Sequence, residues 1–223
     1  MTSPAPHRDP SAIDQIAEDF FAKSLELTPE WGVSLGMPGY ETAYGDYSPA
    51  GTTQMISLLR ETLGALANAT PVDAIDEVSL DAMTERLSLE LEILFTGRTE
   101  LNNIASAAQE IRSIIDLMPQ DTSADYAFIA QRMSNIPAAI DGYIASLRDS
   151  ASNGLVAAQR QVSIVITQTT DYAKDGGFFD QLAVSGTTVD AALQEQLQVG
   201  ADAAKTAYRK LATYLQDELL PPA

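Results

Sequence analysis

Apolar residues recur at helical spacing along most of this 223-residue chain. The segment "DEVSLDAMTERLSLELEILFTG" shows it best, because its apolar residues return every three or four positions: Leu80, Met83, Leu87, Leu91 and Leu94. The stretch "VSIVITQTT" is rich in β-branched residues, but it lies in a run too long for a strand. No hairpin turn signal or strand–helix alternation interrupts the pattern. The sequence therefore predicts an all-α fold, a multi-helix array of about eight helices in largely antiparallel helical hairpins.

Capping residues predict where the first helices begin and end. Ser11 is placed to cap the first helix, and Ser48, followed by proline, to cap one that runs to about Asn68. The leucine-rich helix is expected to end at Gly97. We expect three regions in the chain: a flexible tail at 1–10, a single all-helical domain at 11–220 and the C-terminal end at 221–223.

Proline and glycine also predict two interruptions in the second half of the chain. Pro137 is expected to break the chain after Ile136 and to begin a new helix. The stretch "DGGFFDQLAVSG" is predicted to be a loop with a short turn. The last helix is expected to run from about Thr188 to Leu220, where two prolines follow.

The sequence is poor in the residues that most enzymes use for chemistry. It has no cysteine, and its only histidine is His7, in a proline-rich stretch before the first helix. A cysteine nucleophile, a His/Asp pair or a two-histidine metal site therefore cannot be built from this chain alone. Carboxylates on the leucine-rich helix (Glu85, Glu90 and Glu92) fit a solvated surface better than a reactive pair. We expect no catalytic residue, no metal ligand and no cofactor in this chain.

The charge balance restricts the partners. Thirteen basic and 31 acidic residues give a formal net charge of -18. A surface this acidic repels phosphate backbones and anionic lipids, so we expect neither nucleic acid nor a membrane as partner. No apolar run approaches the roughly 18 residues that span a bilayer, and the first residues lack the apolar core of a secretion signal. The sequence therefore favours a cytoplasmic protein.

The segment "LNNIASAAQEIRSIIDLMPQDT" carries the first candidate site. Arg112 and Asp116 are four residues apart, so they meet on one helix face, with Gln109 one turn earlier. Two interpretations follow. The three residues form a structural polar network that holds the adjoining loop, which is the stronger interpretation because of the apolar residues around them. Alternatively, Arg112 faces a substrate cleft and binds a carboxylate.

A second candidate is a set of aromatic residues around a Gly/Pro-rich loop: Trp31, Tyr40, Tyr44 and Tyr47. Such rings line binding clefts, because they supply rigid contact area with a polar tip. They equally pin an ordered loop onto a core, which is the commoner role.

Several segments, in this order, resemble a known family. They are "AEDFFAKSLELTPEWGVSLGMPGY", "IASAAQEIRSIIDLMPQDT", "RMSNIPAAIDGYIASL", "GLVAAQRQV", "GGFF" and "AYRKLATYLQDELLP". Together they resemble the N-terminal half of the bacterial family catalogued as domain of unknown function 885. The resemblance covers nearly the whole chain after residue 11, although none of the segments is a chemical motif.

The resemblance implies a function that this chain would serve only in part. Members of the family look like helical zinc metallopeptidases, with the histidine–glutamate zinc signature in their second half, and none of that signature maps onto this sequence. The chain would then be a non-catalytic N-terminal domain, as a truncated product or one half of a split protein, and zinc is expected only with the missing C-terminal half. Its helices would form one wall of a substrate channel, with segment 106 to 119 and the tyrosine-rich loop facing it.

The partners that this implies are a C-terminal metallopeptidase-like half, or a second copy through self-association, and a peptide-like ligand. The alternative is a free-standing helical module for ligand binding or protein interaction. A stand-alone hydrolase that uses only carboxylates is disfavoured, because helix surfaces account for its acidic pairs.

Overall fold

The computed structural model describes residues 8–96, 101–185 and 189–222, and all regular structure in these ranges is helical. The predicted all-α fold is thus confirmed. The predicted boundaries at Gly97 and Thr188 lie outside the described residues, as do His7 and most of the predicted N-terminal tail. The helices are α1 (Ala12–Leu27), α2 (Pro29–Ser34), α3 (Pro49–Asn68), α4 (Ala74–Thr96), α5 (Ala107–Ser113), a 3₁₀ helix (Ile114–Leu117), α6 (Ser123–Ser152), α7 (Gln159–Tyr172), α8 (Phe178–Ser185), α9 (Ala191–Tyr214) and a π-helical turn (Leu215–Leu219).

Helices α1, α3 and α4 form a side layer with a small core of its own. Ser11 caps α1 as predicted, and its hydroxyl also donates to the buried carboxylate of Asp76 in α4, with an oxygen–oxygen distance of 2.7 Å. Leu59, Leu66 and Leu87 are buried between the helices. The connection from Asn68 to Ala74 is short, so α3 and α4 pack as the predicted antiparallel hairpin.

The main core lies around α6 and α9, which share the most extensive packing in the described residues. These two helices run in parallel, because their contacts advance in the same direction along both: Ala130 with Gly200, Asp141 with Lys210 and Arg148 with Glu218. Helices α5, α7 and α8 complete this core, and Tyr208 of α9 lies at its centre, fully buried. The "VSIVITQTT" stretch lies within α7 and is helical, as predicted.

The predicted break at Pro137 is wrong, because α6 continues through it as a single 30-residue helix. Proline removes one hydrogen bond of the helix, at a cost of about 3 kcal/mol. Burial on both sides of Pro137 offsets this cost, since Met133, Ile136 and Ile140 are all fully buried in the main core. Tertiary packing therefore outweighs the local preference of the proline.

The predicted loop "DGGFFDQLAVSG" instead contains the helix α8. Phe179, Leu182 and Ala183 are buried, so the segment has one apolar helical face against α9. The ammonium of Lys205 in α9 lies 2.6 Å from the carboxylate of Asp180, and Lys205 is itself almost completely buried. This interaction with Lys205 is the main reason why the pKa of Asp180 is lowered, and the ion pair fixes α8 on the main core.

Candidate functional site

Three segments that are distant in sequence enclose a cleft of about 400 Å³. The first is the end of α1 with α2, the second is the end of the tyrosine-rich loop, and the third is α5 with the 3₁₀ helix. Residues that line the cleft include Leu27, Glu30, Trp31, Tyr47, Glu110 and Leu117. A concave site with aromatic walls and a few polar groups is typical of small-ligand binding.

Glu30 holds one wall of the cleft in place. It lies in the first turn of α2, directly after Pro29, which starts the helix. One carboxylate oxygen of Glu30 accepts hydrogen bonds from the Tyr47 hydroxyl at 2.8 Å and from the Gly45 backbone N–H at 3.1 Å. Burial raises the pKa of Tyr47 far above its ordinary value, and the charge of Glu30 raises it further. Tyr47 is therefore a hydrogen-bond donor here and not a base.

Glu110 of α5 supplies a second carboxylate to the cleft. Its side chain forms no hydrogen bond or ion pair with another described residue. Partial burial raises its pKa, and the negative charge of Glu30 adds to this effect. The cleft therefore combines one carboxylate that is fixed by its neighbours with one that is free to bind a positively charged group.

The predicted aromatic residues separate into two pairs. Trp31 and Tyr47 line the cleft, and 45% of the surface of Trp31 is exposed. Tyr40 instead packs on Gly32, where an added methyl group would lie 2.3 Å from the tyrosine ring. The hydroxyl of Tyr44 donates to the carbonyl oxygen of Ile111 at 2.7 Å, which joins the loop to α5. Both of the predicted roles, cleft lining and loop anchoring, thus have candidates within this one loop.

Arg132 of α6 holds this loop and was not expected from the sequence. Its side chain is fully buried, and it donates to the carbonyl oxygens of Glu41 at 2.6 Å and Tyr40 at 2.7 Å. The guanidinium also lies 4.7 Å from the ring centre of Tyr44. One signal in the sequence could have indicated burial, because Arg132 lies three residues after Ile129 and next to Met133, on an apolar stripe.

Gln109 lies in a polar network behind the cleft. Its side-chain oxygen accepts from the backbone N–H of Ser106 at 2.9 Å, which completes a capping box at the start of α5. Its amide group donates to the side chain of Gln168 in α7 at 2.7 Å. These contacts join α5 to α7, and Gln109 does not line the cleft.

Arg112 and Asp116 form the ion pair that their spacing predicts. The Arg112 guanidinium also lies 3.7 Å from the ring centre of Phe178, at the start of α8. Neither residue lines the cleft, and no side-chain hydrogen bond or ion pair joins them to Gln109 in the described part of the chain. The polar residue that this segment contributes to the cleft is Glu110, which the sequence did not single out.

The described residues contain neither a metal-binding cluster nor a membrane-spanning helix. Among them, no group of three or more His, Cys, Asp or Glu side chains is arranged to hold a metal ion. No helix within 8–96, 101–185 or 189–222 is both long enough and apolar enough to cross a membrane.

The family comparison identifies the class of protein. The family model "Bacterial protein of unknown function (DUF885)" matches residues 29–223. The chain therefore belongs to this family, as the quoted segments predict. A comparison with curated proteins finds no match.

A solved structure shares the fold. The crystal structure of the "putative lipoprotein" from Colwellia psychrerythraea matches with a TM-score of 0.76 at 12% sequence identity. The match covers 96% of this chain and 42% of that chain. This likeness shows the helical fold alone, and the chain spans about two fifths of the length of the structure it matches.

Proposed function

We propose that this chain forms a ligand-binding wall of a substrate channel in a DUF885 protein and supplies no catalytic group. The observation that carries the proposal is the cleft, because it brings together two segments that are distant in sequence: the tyrosine-rich loop and segment 106 to 119. Zinc chemistry would reside in a metallopeptidase-like C-terminal partner, as the resemblance to the family implies. The wall would bind and orient a peptide-like substrate.

The charges of the cleft favour a ligand with a positive group. Glu30 and Glu110 face the cavity from two sides, and Asp46 adds a third carboxylate. Trp31 offers an exposed ring, on which an ammonium or guanidinium group binds through cation–π attraction. The net charge of -18 also attracts cationic ligands to the protein and so adds to the preference of the cleft for a positive group. A peptide with lysine or arginine fits these features.

Tryptophan fluorescence tests this proposal, because Trp31 is the only tryptophan in the sequence and lies in the cleft. We expect the N-acetylated amide of Gly-Lys-Gly to change the emission in a saturable way, and the N-acetylated amide of Gly-Glu-Gly to leave it unchanged. Glu110→Gln should weaken binding of the lysine peptide about tenfold, as expected for a partly desolvated charge pair. Glu90→Gln is the matched control, because Glu90 is another partly buried carboxylate, with a raised pKa, on α4.

The pH dependence of binding gives a second readout. A lysine peptide requires ionised Glu110, whose pKa is raised by burial and by Glu30. Binding should be complete at neutral pH and should weaken on acidification. Because the pKa of Glu110 is raised, the weakening should begin at a higher pH than for an ordinary glutamate, whose pKa is about 4.3. In Glu110→Gln this part of the pH profile should be flat. Equal binding of the acidic peptide, or an unchanged affinity in Glu110→Gln, would overturn the proposal.

A free-standing interaction module is the second candidate function. It is favoured by one observation, an apolar face on the outside of α4 that no described residue covers.

A further inference from the structure

Helix α4 has two apolar faces, but only one of them is packed. The inner face carries Leu80, Met83, Leu87, Leu91 and Leu94, which lie in the small core with α1 and α3. On the other side of the helix, five apolar residues are exposed, and we call them the outer stripe: Ile75, Val78, Ala82, Leu89 and Ile93. The exposed fraction of Val78 is 69%.

The outer stripe is an aligned row with one gap, between Ala82 and Leu89, where the intervening turn carries the charged side chains of Glu85 and Arg86. Its members are separated by three, four, seven and four residues, so at 100° per residue they fall within a narrow sector of the helix. From Ile75 to Ile93 the row extends about 27 Å, at roughly 1.5 Å per residue. Single exposed apolar residues are ordinary, but an aligned row of this length has the spacing of a seam between two helices. A second helix of similar length is the element that fits it.

The charges beside the outer stripe define the partner. Four acidic residues follow the row along one side of the helix: Glu77, Asp81, Glu85 and Glu92. Arg86 is the only basic residue of α4, and its guanidinium already pairs with Glu85 at 3.3 Å. Two copies of α4 packed through this stripe would bring acidic rows together, in molecules that each carry -18. Charge complementarity therefore favours a basic partner over a second copy.

We propose that the outer stripe of α4 is a docking site for an amphipathic helix of a partner polypeptide, with an apolar seam flanked by lysine and arginine. The apolar seam would cover the outer stripe, and the basic residues would pair with the acidic row. This site is separate from the cleft and does not depend on the function proposed for it. The apolar contact supplies most of the affinity, whereas the charges select the partner and its orientation.

A dye-labelled synthetic helix tests the proposal by fluorescence anisotropy. The probe has about 20 residues, or roughly 30 Å of helix, with leucine along the seam and lysine on both flanks. A second probe has the same seam with glutamate on its flanks. We expect saturable binding of the lysine probe that weakens as NaCl is added, and at least about tenfold weaker binding of the glutamate probe.

Matched variants locate the site. Val78→Asp should weaken binding of the lysine probe at least about tenfold, because it places a charge in the apolar contact. Val199→Asp is the control, since Val199 is also a helical valine, 58% exposed, but it lies on α9. Asp81→Asn combined with Glu85→Gln should reduce both the affinity and its dependence on salt. Circular dichroism establishes that each variant keeps its helical content.

Three outcomes would overturn the proposal. The first is the absence of binding by the lysine probe at low salt. The second is equal binding by the two probes, or an equal effect of Val78→Asp and Val199→Asp. The third is a dimer of the purified chain, seen by sedimentation, that Val78→Asp dissociates, because the stripe would then bind a second copy. Trp31 emission reports on the cleft separately, so a failure here is distinguishable from a failure of the cleft proposal.

Discussion

Arg132 connects the longest helix of the described chain to the loop that shapes the cleft. A fully buried guanidinium is costly unless its charge is stabilised, and here two backbone carbonyl groups and the ring of Tyr44 perform this role. These carbonyl groups lie in a Gly/Pro-rich segment outside any helix, so they accept no helical hydrogen bond. The arginine and the loop therefore stabilise each other, and the position of Tyr47 in the cleft depends on both.

We predict that Arg132→Met lowers the free energy of unfolding by about 2–4 kcal/mol, because it leaves the part-buried carbonyl groups of Tyr40 and Glu41 without their donor and removes the ring contact. Urea unfolding followed by circular dichroism measures this change. Arg148→Met is the control, because Arg148 also lies over a ring, that of Tyr214, but has an exposed side chain. Its effect should stay below about 1 kcal/mol. Equal losses in the two variants would contradict the structural role given to Arg132.

The sequence could not predict which of the aromatic side chains line the cleft. The sequence placed Trp31, Tyr40, Tyr44 and Tyr47 in one group, because a Gly/Pro-rich segment has no periodicity that assigns side chains to a face. Only the contacts with α2, α5 and α6 direct Trp31 and Tyr47 to the cleft. Glu110 was missed for a related reason. Its role depends on its distance from Glu30, 80 residues earlier in the chain.

At the scale of elements, the close packing of α6 and α9 depends on a glycine. Gly200 lies in the middle of α9, where glycine ordinarily weakens a helix by about 1 kcal/mol relative to alanine. A methyl group at this position would lie 2.7 Å from the backbone carbonyl oxygen of Ala130 and 3.0 Å from the side chain of Met133. The absence of a side chain thus allows the two helices to approach closely.

Gly200→Ala should therefore destabilise the protein by about 1–3 kcal/mol, since the gain in helix propensity is smaller than the cost of moving α6. Gly64→Ala is a matched control within α3, where an added methyl group would meet no atom within 4 Å. That substitution should raise stability by about 0.5–1 kcal/mol. Thermal and urea unfolding of both variants measure the two changes, and the opposite signs are the expected result. A stabilised Gly200→Ala variant would show that the helices are less closely packed than the structure indicates.

Helices with a clear apolar period could be predicted from the sequence, and those that depend on their neighbours could not. The helix from Pro49 to Asn68 has a capping serine, a proline in its first turn and one apolar stripe, and its predicted boundaries agree with the structure. The predictions at Pro137 and at α8 were wrong for opposite reasons. At Pro137, burial preserves a helix that local preference would end. In α8, packing on α9 and the pairing of Asp180 with Lys205 stabilise a helix too short to be evident from its pattern.

At the scale of the whole molecule, the excess of acidic charge is the dominant electrostatic feature. Basic side chains in the described residues are largely engaged in local ion pairs, such as Lys210 with Asp141 and Arg148 with Glu218. Most of these pairs are exposed, and exposed pairs contribute little to stability. The remaining carboxylates repel each other across a chain of -18, and this repulsion opposes folding to a compact state.

We therefore predict that NaCl stabilises this protein. Raising the salt concentration from about 20 to about 200 mM shortens the screening length several-fold and should raise the free energy of unfolding by on the order of 1 kcal/mol. Urea is the appropriate denaturant, because guanidinium is itself a salt. At about pH 5 the net charge is smaller, since the isoelectric point is near 4.1, and the salt effect should shrink accordingly. If salt instead lowered the stability at neutral pH, the prediction would be wrong. The attraction within the ion pairs would then outweigh the repulsion among the remaining carboxylates.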